Sequence, residues 1–185
     1  MNRKKPYGTG ALVGRFQMLH AGHEELIGIA VSLCENVGIF VGSSQEEGTF
    51  VNPFSYETRK KMLKAVFGDS VSVFPLPDIG VGNTAAWGDY VLQKVVDTFG
   101  RAPDILISGK ESRRLDWLSG EAGRTTAELY IPKTVDISAT RMREFLLNDD
   151  FASWKTYSSR ALWKMYPDLR KTVLTSKNNL RTNSI

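Results

Sequence analysis

The chain has 185 residues, 42% hydrophobic and 24% charged, with a single cysteine; this excludes a wholly disordered chain and a disulfide-stapled miniprotein, and suits one domain with an ordinary core. Its formal charge of +4 is gathered at the ends: Arg3, Lys4 and Lys5 open the chain, and Lys164, Arg170, Lys171, Lys177 and Arg181 near its close are met only by Asp168. The stretch between them carries 16 bases against 19 acids, so the basic face of a general nucleic-acid grip is not expected.

Short β-rich runs alternate with helical patterns along the chain. Residues 11–16 read as a buried strand, and 22–34 as a helix with Leu26, Ile27, Ala30 and Leu33 on one face. Residues 36–42 form a second apolar strand. A helix over 55–67 follows, with Ser55 as N-cap and Met62, Ala65 and Val66 on one side. The third strand, 70–76, ends at the Pro75-Leu76-Pro77 punctuation. A helix over 84–99 is stopped by Gly100. Residues 104–108 are a fourth strand, 111–118 a short helix and 127–132 a fifth strand. From about Ala139 the pattern is helical to roughly Leu174, with a frayed polar end after Thr175. This alternation predicts an α/β fold: a Rossmann-like parallel five-stranded sheet flanked by helices, with a helical C-terminal extension. One domain over 1–185 is expected, with a core of 8–145, an extension of 146–175 and a polar tail of 176–185. Residues 6–18 form no unbroken apolar core with a cleavage site, so no signal peptide is read. The apolar stretch 26–41 is broken by Glu35 and Asn36 and is too short to span a bilayer. With Cys34 alone fitting a reducing compartment, a cytoplasmic protein without a membrane partner is expected.

In parallel sheets ligands sit beyond the carboxyl ends of the strands. The first strand runs into Gly14-Arg15-Phe16-Gln17-Met18-Leu19-His20-Ala21-Gly22-His23 and then the first helix. His20 and His23 are the two histidines of the chain. A helix N-terminus presents free N–H groups and the positive end of the dipole. Two imidazoles add donors there, Gly22 permits close backbone approach, and Arg15 adds a guanidinium fork. Such a turn suits a polyphosphate. The same histidines also fit cap and packing roles, or a pair of metal ligands; no Cys or third His completes a zinc set, and no protein metal site is expected. Gly8, Gly10 and Gly14 lack the spacing of a dinucleotide fingerprint, and Ser108-Gly109-Lys110-Glu111-Ser112 is half a P-loop at most. A second loop-to-helix entry lies at Ile137-Ser138-Ala139-Thr140-Arg141-Met142-Arg143, where Ser138 and Thr140 are N-cap candidates. Alone it is a helix start; beside the histidine turn it becomes a second phosphate anchor.

His20-Ala21-Gly22-His23 resembles the HxGH motif of the nucleotidyltransferase superfamily, and Ile137-Ser138-Ala139-Thr140…Arg143 resembles its ISSTxxR motif, with Ala139 for the second serine. Met18 stands where the family has proline; backbone donors survive both departures. Gly14-Arg15-Phe16-Gln17, Asn52-Pro53-Phe54-Ser55…Arg59 and Asp78-Ile79…Asn83…Trp87 are similar to segments of the archaeal-type nicotinamide mononucleotide (NMN) adenylyltransferases, over residues 11–145. The resemblance implies that NMN and ATP give NAD and pyrophosphate by in-line attack of the NMN phosphate on the ATP α-phosphorus. It implies His20, His23 and Arg143 as catalytic residues. Gly14, Arg15, Phe16, Gly22, Ser138, Thr140 and Arg143 would bind ATP and its phosphates. Arg59, Asn83 and Trp87 would bind NMN, with Trp87 stacked on the nicotinamide. Mg²⁺ would be held mainly through ATP phosphates. Nicotinic acid mononucleotide is an alternative acceptor, and family members form homo-oligomers of several kinds. Trp117, Trp154 and Trp163 are read as packing. Two other readings stand beside this one. A phosphopantetheine adenylyltransferase or cytidylyltransferase shares the phosphate chemistry, and a non-catalytic nucleotide sensor shares the anion site.

Overall fold

The computed structural model describes residues 4–111 and 113–182; Arg3 of the basic opening, Ser112, and the last three residues of the polar tail lie outside the described residues. Five parallel strands form one sheet: β1 (Tyr7–Gly14), β2 (Cys34–Gly42), β3 (Ser72–Leu76), β4 (Ile105–Ser108) and β5 (Glu128–Tyr130). Their order is β3-β2-β1-β4-β5, so the chain builds outward from β1 on one side and then returns to build on the other. The reversal falls between β1 and β4, the place where a doubly wound sheet opens a crevice. Leu12 lies opposite Ile39 and Ile107 in the two flanking strands.

Side chains alternate across each strand, and the two faces of the sheet carry separate cores. Leu12, Ile39, Ile105 and Ile107 face a cluster with Ile27 and Ala30 of α1 (Ala21–Leu33) and Met62 and Leu63 of α2 (Tyr56–Phe67). Ala11, Phe40 and Leu106 face the other way, against Trp87, Val91, Leu92 and Val95 of α3 (Ala85–Phe99). On the α2 face the cluster continues into the C-terminal helices α6 (Ala139–Leu147), α7 (Phe151–Thr156) and α8 (Tyr166–Thr182) and the 3₁₀ segment Arg160–Met165 that precedes α8; Trp154, Leu162, Leu169 and Val173 are buried there. The extension is thus packed onto the sheet domain, with Trp154 fully enclosed as packing.

Local signals explain most boundaries. The Ser55 hydroxyl accepts from the Thr58 N–H and starts α2, and Gly100 in the left-handed region (φ 71°) ends α3. Three boundaries and one buried stripe are among the differences from expectation. β1 begins at Tyr7 and stops at Gly14, because Phe16 turns to φ 50° and leaves the sheet. The helix expected over 111–118 is two single turns, α4 (Arg113–Asp116) and α5 (Glu121–Arg124), split around Gly120. On α2, Ala65 is exposed and the buried stripe is Arg59, Met62 and Leu63. The helix expected from Ala139 breaks where Asp149 takes φ 56°, and α8 runs past Thr175 to Thr182.

Candidate active site

β1 delivers its last residues to a cavity of about 830 Å³ that spreads over the carboxyl ends of the strands. Gly14 is needed there: a Cβ would lie 2.9 Å from the Phe16 ring, which folds back over it. That ring is buried and tilted against the His23 imidazole, with centroids 5.0 Å apart. Holding a bulky residue at positive φ costs about 1–3 kcal/mol, a strain tolerated where surrounding contacts fix it. Here it sets the turn that carries the chain from strand to helix.

His20 is the N-cap of α1, and its carbonyl accepts from the N–H groups of His23 and Glu24. One helical turn apart, the two imidazoles stack with centroids 3.8 Å apart. Burial, with the positive charge of Lys133 adding to it, pushes His20 down to about 4. Burial first, and then His20, drives His23 well below the ordinary histidine value, against an opposing backbone contact with Met18. Both rings are neutral at pH 7, and the Nδ1 atoms of both are buried without a hydrogen-bond partner. Buried polar atoms are normally paired. Two such atoms stand beside one helix start.

The second anchor comes from α6. Ser138 is its N-cap and accepts from the Arg141 N–H at 3.2 Å. Arg143, at the start of the second turn, is only 6% exposed. One of its terminal nitrogens donates to the Gln17 carbonyl at 2.7 Å, the other to the Thr140 hydroxyl at 3.3 Å, and its buried Nε–H has no partner. Gly14, Arg15, Phe16, Gly22, Ser138, Ala139, Thr140 and Arg143 line the same cavity as the histidines. Two segments more than a hundred residues apart therefore present two helix N-termini, two imidazoles and the guanidinium groups of Arg15 and Arg143 to one space.

Arg59, expected at the nucleotide, stands apart from the cavity. It is fully buried and does not line the cavity. Its guanidinium donates to the carbonyls of Arg15, Gly42, Ser43, Glu46 and Ser55, at 2.8 to 3.5 Å. All five N–H donors are engaged. Burial lowers Arg59 to about 10, with Asp78 and Glu47 opposing, so it remains a cation. Its role is to tie the turn after β1 to the loop after β2.

Asn83 and Trp87 do line the cavity, on the loop that enters α3 and on its first turn. Trp87 is 7% exposed and also belongs to the α3 core, so its packing and cavity roles coincide. Sequence reasoning missed Gln17. Its amide donates to the Phe54 carbonyl and accepts from the Phe54 N–H, both at 3.0 Å, while its carbonyl holds Arg143. Trp117, read as packing, also lines the cavity; so do Lys110, Lys133, Val51, Ile79 and Val81.

The family model described as cytidylyltransferase-like matches residues 11–145. A nicotinamide-nucleotide adenylyltransferase of Saccharolobus solfataricus is 33% identical over 112 residues, covering 56% of this chain and 64% of that protein. Another, of Thermococcus sibiricus, is 30% identical over 146 residues, covering 76% of this chain and 74% of that protein. The chain spans about half to two thirds of the length of other such relatives, such as 52% for that of Thermococcus onnurineus and 64% for that of Saccharolobus. Among solved structures, a bifunctional NMN adenylyltransferase/ADP ribose pyrophosphatase of Francisella tularensis, complexed with AMP and a manganese ion, superposes with a TM-score of 0.73. It is 20% identical, covers 95% of this chain and 54% of its own, and so speaks to the fold. No helix of the described residues is long and apolar enough to cross a membrane. With the family model matched from within the first strand into the second turn of α6, the chain belongs to the cytidylyltransferase-like family.

Proposed function

We propose that the chain is a nicotinamide-nucleotide adenylyltransferase, joining NMN and ATP into NAD with release of pyrophosphate. The observation that carries the reading is the convergence of both helix N-termini, with His20, His23 and Arg143, on one cavity, where the Nδ1 atoms of the histidines and the Nε–H of Arg143 are unpaired. The names of the relatives from Saccharolobus solfataricus and Thermococcus sibiricus support the choice of substrates.

The NMN phosphate is already an anion, so the attack needs no general base. Catalysis is then positioning and stabilisation of charge. His20 and His23 donate to oxygens of the α-phosphoryl group as negative charge develops there, and the negative oxygens offset the burial that keeps the rings neutral. Arg143, Ser138, Thr140 and the N-terminus of α6 hold the β- and γ-phosphates that leave. Arg15, exposed at the rim, screens the charge between the two substrates. Trp87 offers its ring to the cationic nicotinamide. The donor set of the cavity is rich in N–H groups and cations, with Glu25 and Asp78 its carboxylates among the described residues. That fits Mg²⁺ held mainly by phosphate oxygens and its own waters, where it supplies charge neutralisation on the triphosphate.

The test is pyrophosphate release from ATP and Mg²⁺ with NMN, nicotinic acid mononucleotide, phosphopantetheine or no acceptor. Fast release with NMN and identification of NAD as product establish the activity. Release with phosphopantetheine alone keeps the phosphate chemistry and overturns the substrate. Binding of ATP with no release from any acceptor overturns the enzyme reading.

A further inference from the structure

On the β3 side of the cavity three side chains meet: Asn83, Trp87 and Trp117, each part of the lining. The Trp117 Nε1–H donates to Asn83 Oδ1 at 3.2 Å. An indole N–H donates and never accepts. This bond therefore forms in one of the two orientations of the amide, with oxygen toward Trp117 and the Nδ2 amine turned away. Trp117 is itself set from two directions. Its ring lies edge-on to Trp87, with centroids 6.0 Å apart and planes at 80°. Its carbonyl presses so closely on Gly88 that any Cβ there would collide with it. The loop carrying Asn83 is anchored too: the Thr84 N–H donates to the Gly82 carbonyl, and the Thr84 hydroxyl to that of Val81.

We infer that Trp117 is a specificity-determining positioning residue, which holds the Asn83 amide with its nitrogen outward so that the aromatic end of the cavity reads a hydrogen-bond acceptor on the base of the acceptor nucleotide. The inference rests on the adenylyltransferase reading above. A pyridine carboxamide presents an acceptor in its oxygen, and a pyridine carboxylate presents one in either oxygen. The Asn83 amine is a neutral donor and repels neither. The site so built takes both the amide and the acid nucleotide.

Asn83→Asp separates the two. It keeps the size of the side chain and the bond from Trp117, and replaces the outward donor with a charged acceptor. The carboxamide still pairs, by turning its own NH₂ toward the new oxygen. The carboxylate meets a like charge. Calorimetric titration of the full chain with NMN and with nicotinic acid mononucleotide, without ATP, reads the effect apart from catalysis. The wild type is expected to bind both nucleotides within about tenfold of each other. In Asn83→Asp the acid nucleotide weakens at least about tenfold more than the amide nucleotide, the scale of two like charges a few ångströms apart near a protein surface. Trp117→Phe keeps a ring and removes the N–H, so that the Asn83 amide occupies both orientations. The acid nucleotide then weakens about twofold, by the fraction turned the wrong way, while the amide nucleotide, free to turn with the residue, holds its affinity. Equal losses for the two nucleotides in Asn83→Asp overturn the inference, as does a Trp117→Phe variant that changes neither affinity. A wild type that binds neither nucleotide removes the adenylyltransferase reading itself, a different outcome from a wild type that binds both and shows no separation.

Discussion

Replacing Arg59 by Met decides whether this residue touches substrate or builds the site. Met fills much of the same volume and removes the charge together with five hydrogen bonds to the carbonyls of Arg15, Gly42, Ser43, Glu46 and Ser55. Hydrogen bonds to a charged group contribute about 1.5–3 kcal/mol each, but the favourable sum is offset by the cost of burying the cation. What remains after substitution is a set of carbonyls facing a thioether. Leaving several buried carbonyl acceptors unpaired at about 1–3 kcal/mol each, with the burial cost of the cation returned, amounts to about 3–5 kcal/mol. The expected loss is in that range, and it removes a large fraction of the stability of an ordinary domain. Urea denaturation of both proteins reads it as a lowered midpoint at unchanged slope. The loops after β1 and β2 would lose their common tie, so the Michaelis constants for both substrates rise together. A wild-type midpoint with an increase confined to the NMN constant would refute this reasoning and return Arg59 to the nucleotide site.

Three further outcomes follow from the same geometry. His20→Ala and His23→Ala lower kcat by about 10²–10³-fold, the scale of a lost charge-stabilising donor, with far-UV dichroism unchanged; wild-type turnover in either variant removes the histidines from the mechanism. Trp87→Ala raises the Michaelis constant for NMN more than that for ATP, and equal changes would leave Trp87 a core residue alone. Folding stability falls as pH drops from 6.5 to 4, because His20 titrates near 4 in the folded protein and near 6.5 when unfolded, so the unfolded chain binds more protons in that window. The full shift amounts to about 3 kcal/mol for this group, and denaturation midpoints across the window that match those of His20→Asn contradict it.

The succession of strands and helices and the two loop-to-helix entries were legible because each is written in neighbouring residues; the order of the strands within the sheet was not. Strand runs such as residues 37–42 are continuously apolar, as a strand buried on both faces requires, and Ser55 and Ser138 act as N-caps where they stand. The carbonyl ties of Arg59 were not read although its position carried the signal. It lies three and four residues before Met62 and Leu63, on the buried stripe of α2, and a charge on an apolar stripe has to be enclosed and paired. The family resemblance assigned it to NMN instead, and that assignment hid the packing signal. Trp117 was lost for another reason: it follows a helix of one turn, too short for any period to show which way a side chain points.

Gln17 is the most instructive of the residues overlooked, because it explains why the two phosphate motifs belong together. It stands between Phe16 and Met18-Leu19, all three buried, and an uncharged amide in such a run must find partners inside the protein. Both ends of its side chain are used on Phe54, which fixes the loop after β2. Its carbonyl receives Arg143 from α6. One residue of the histidine turn thereby holds the loop beside it and the guanidinium of the distant anchor. The donors of Arg143 and of the histidines are set relative to one another before any phosphate arrives. A triphosphate that spans both anchors then meets a prepared site, and little reorganisation is left to oppose the transfer.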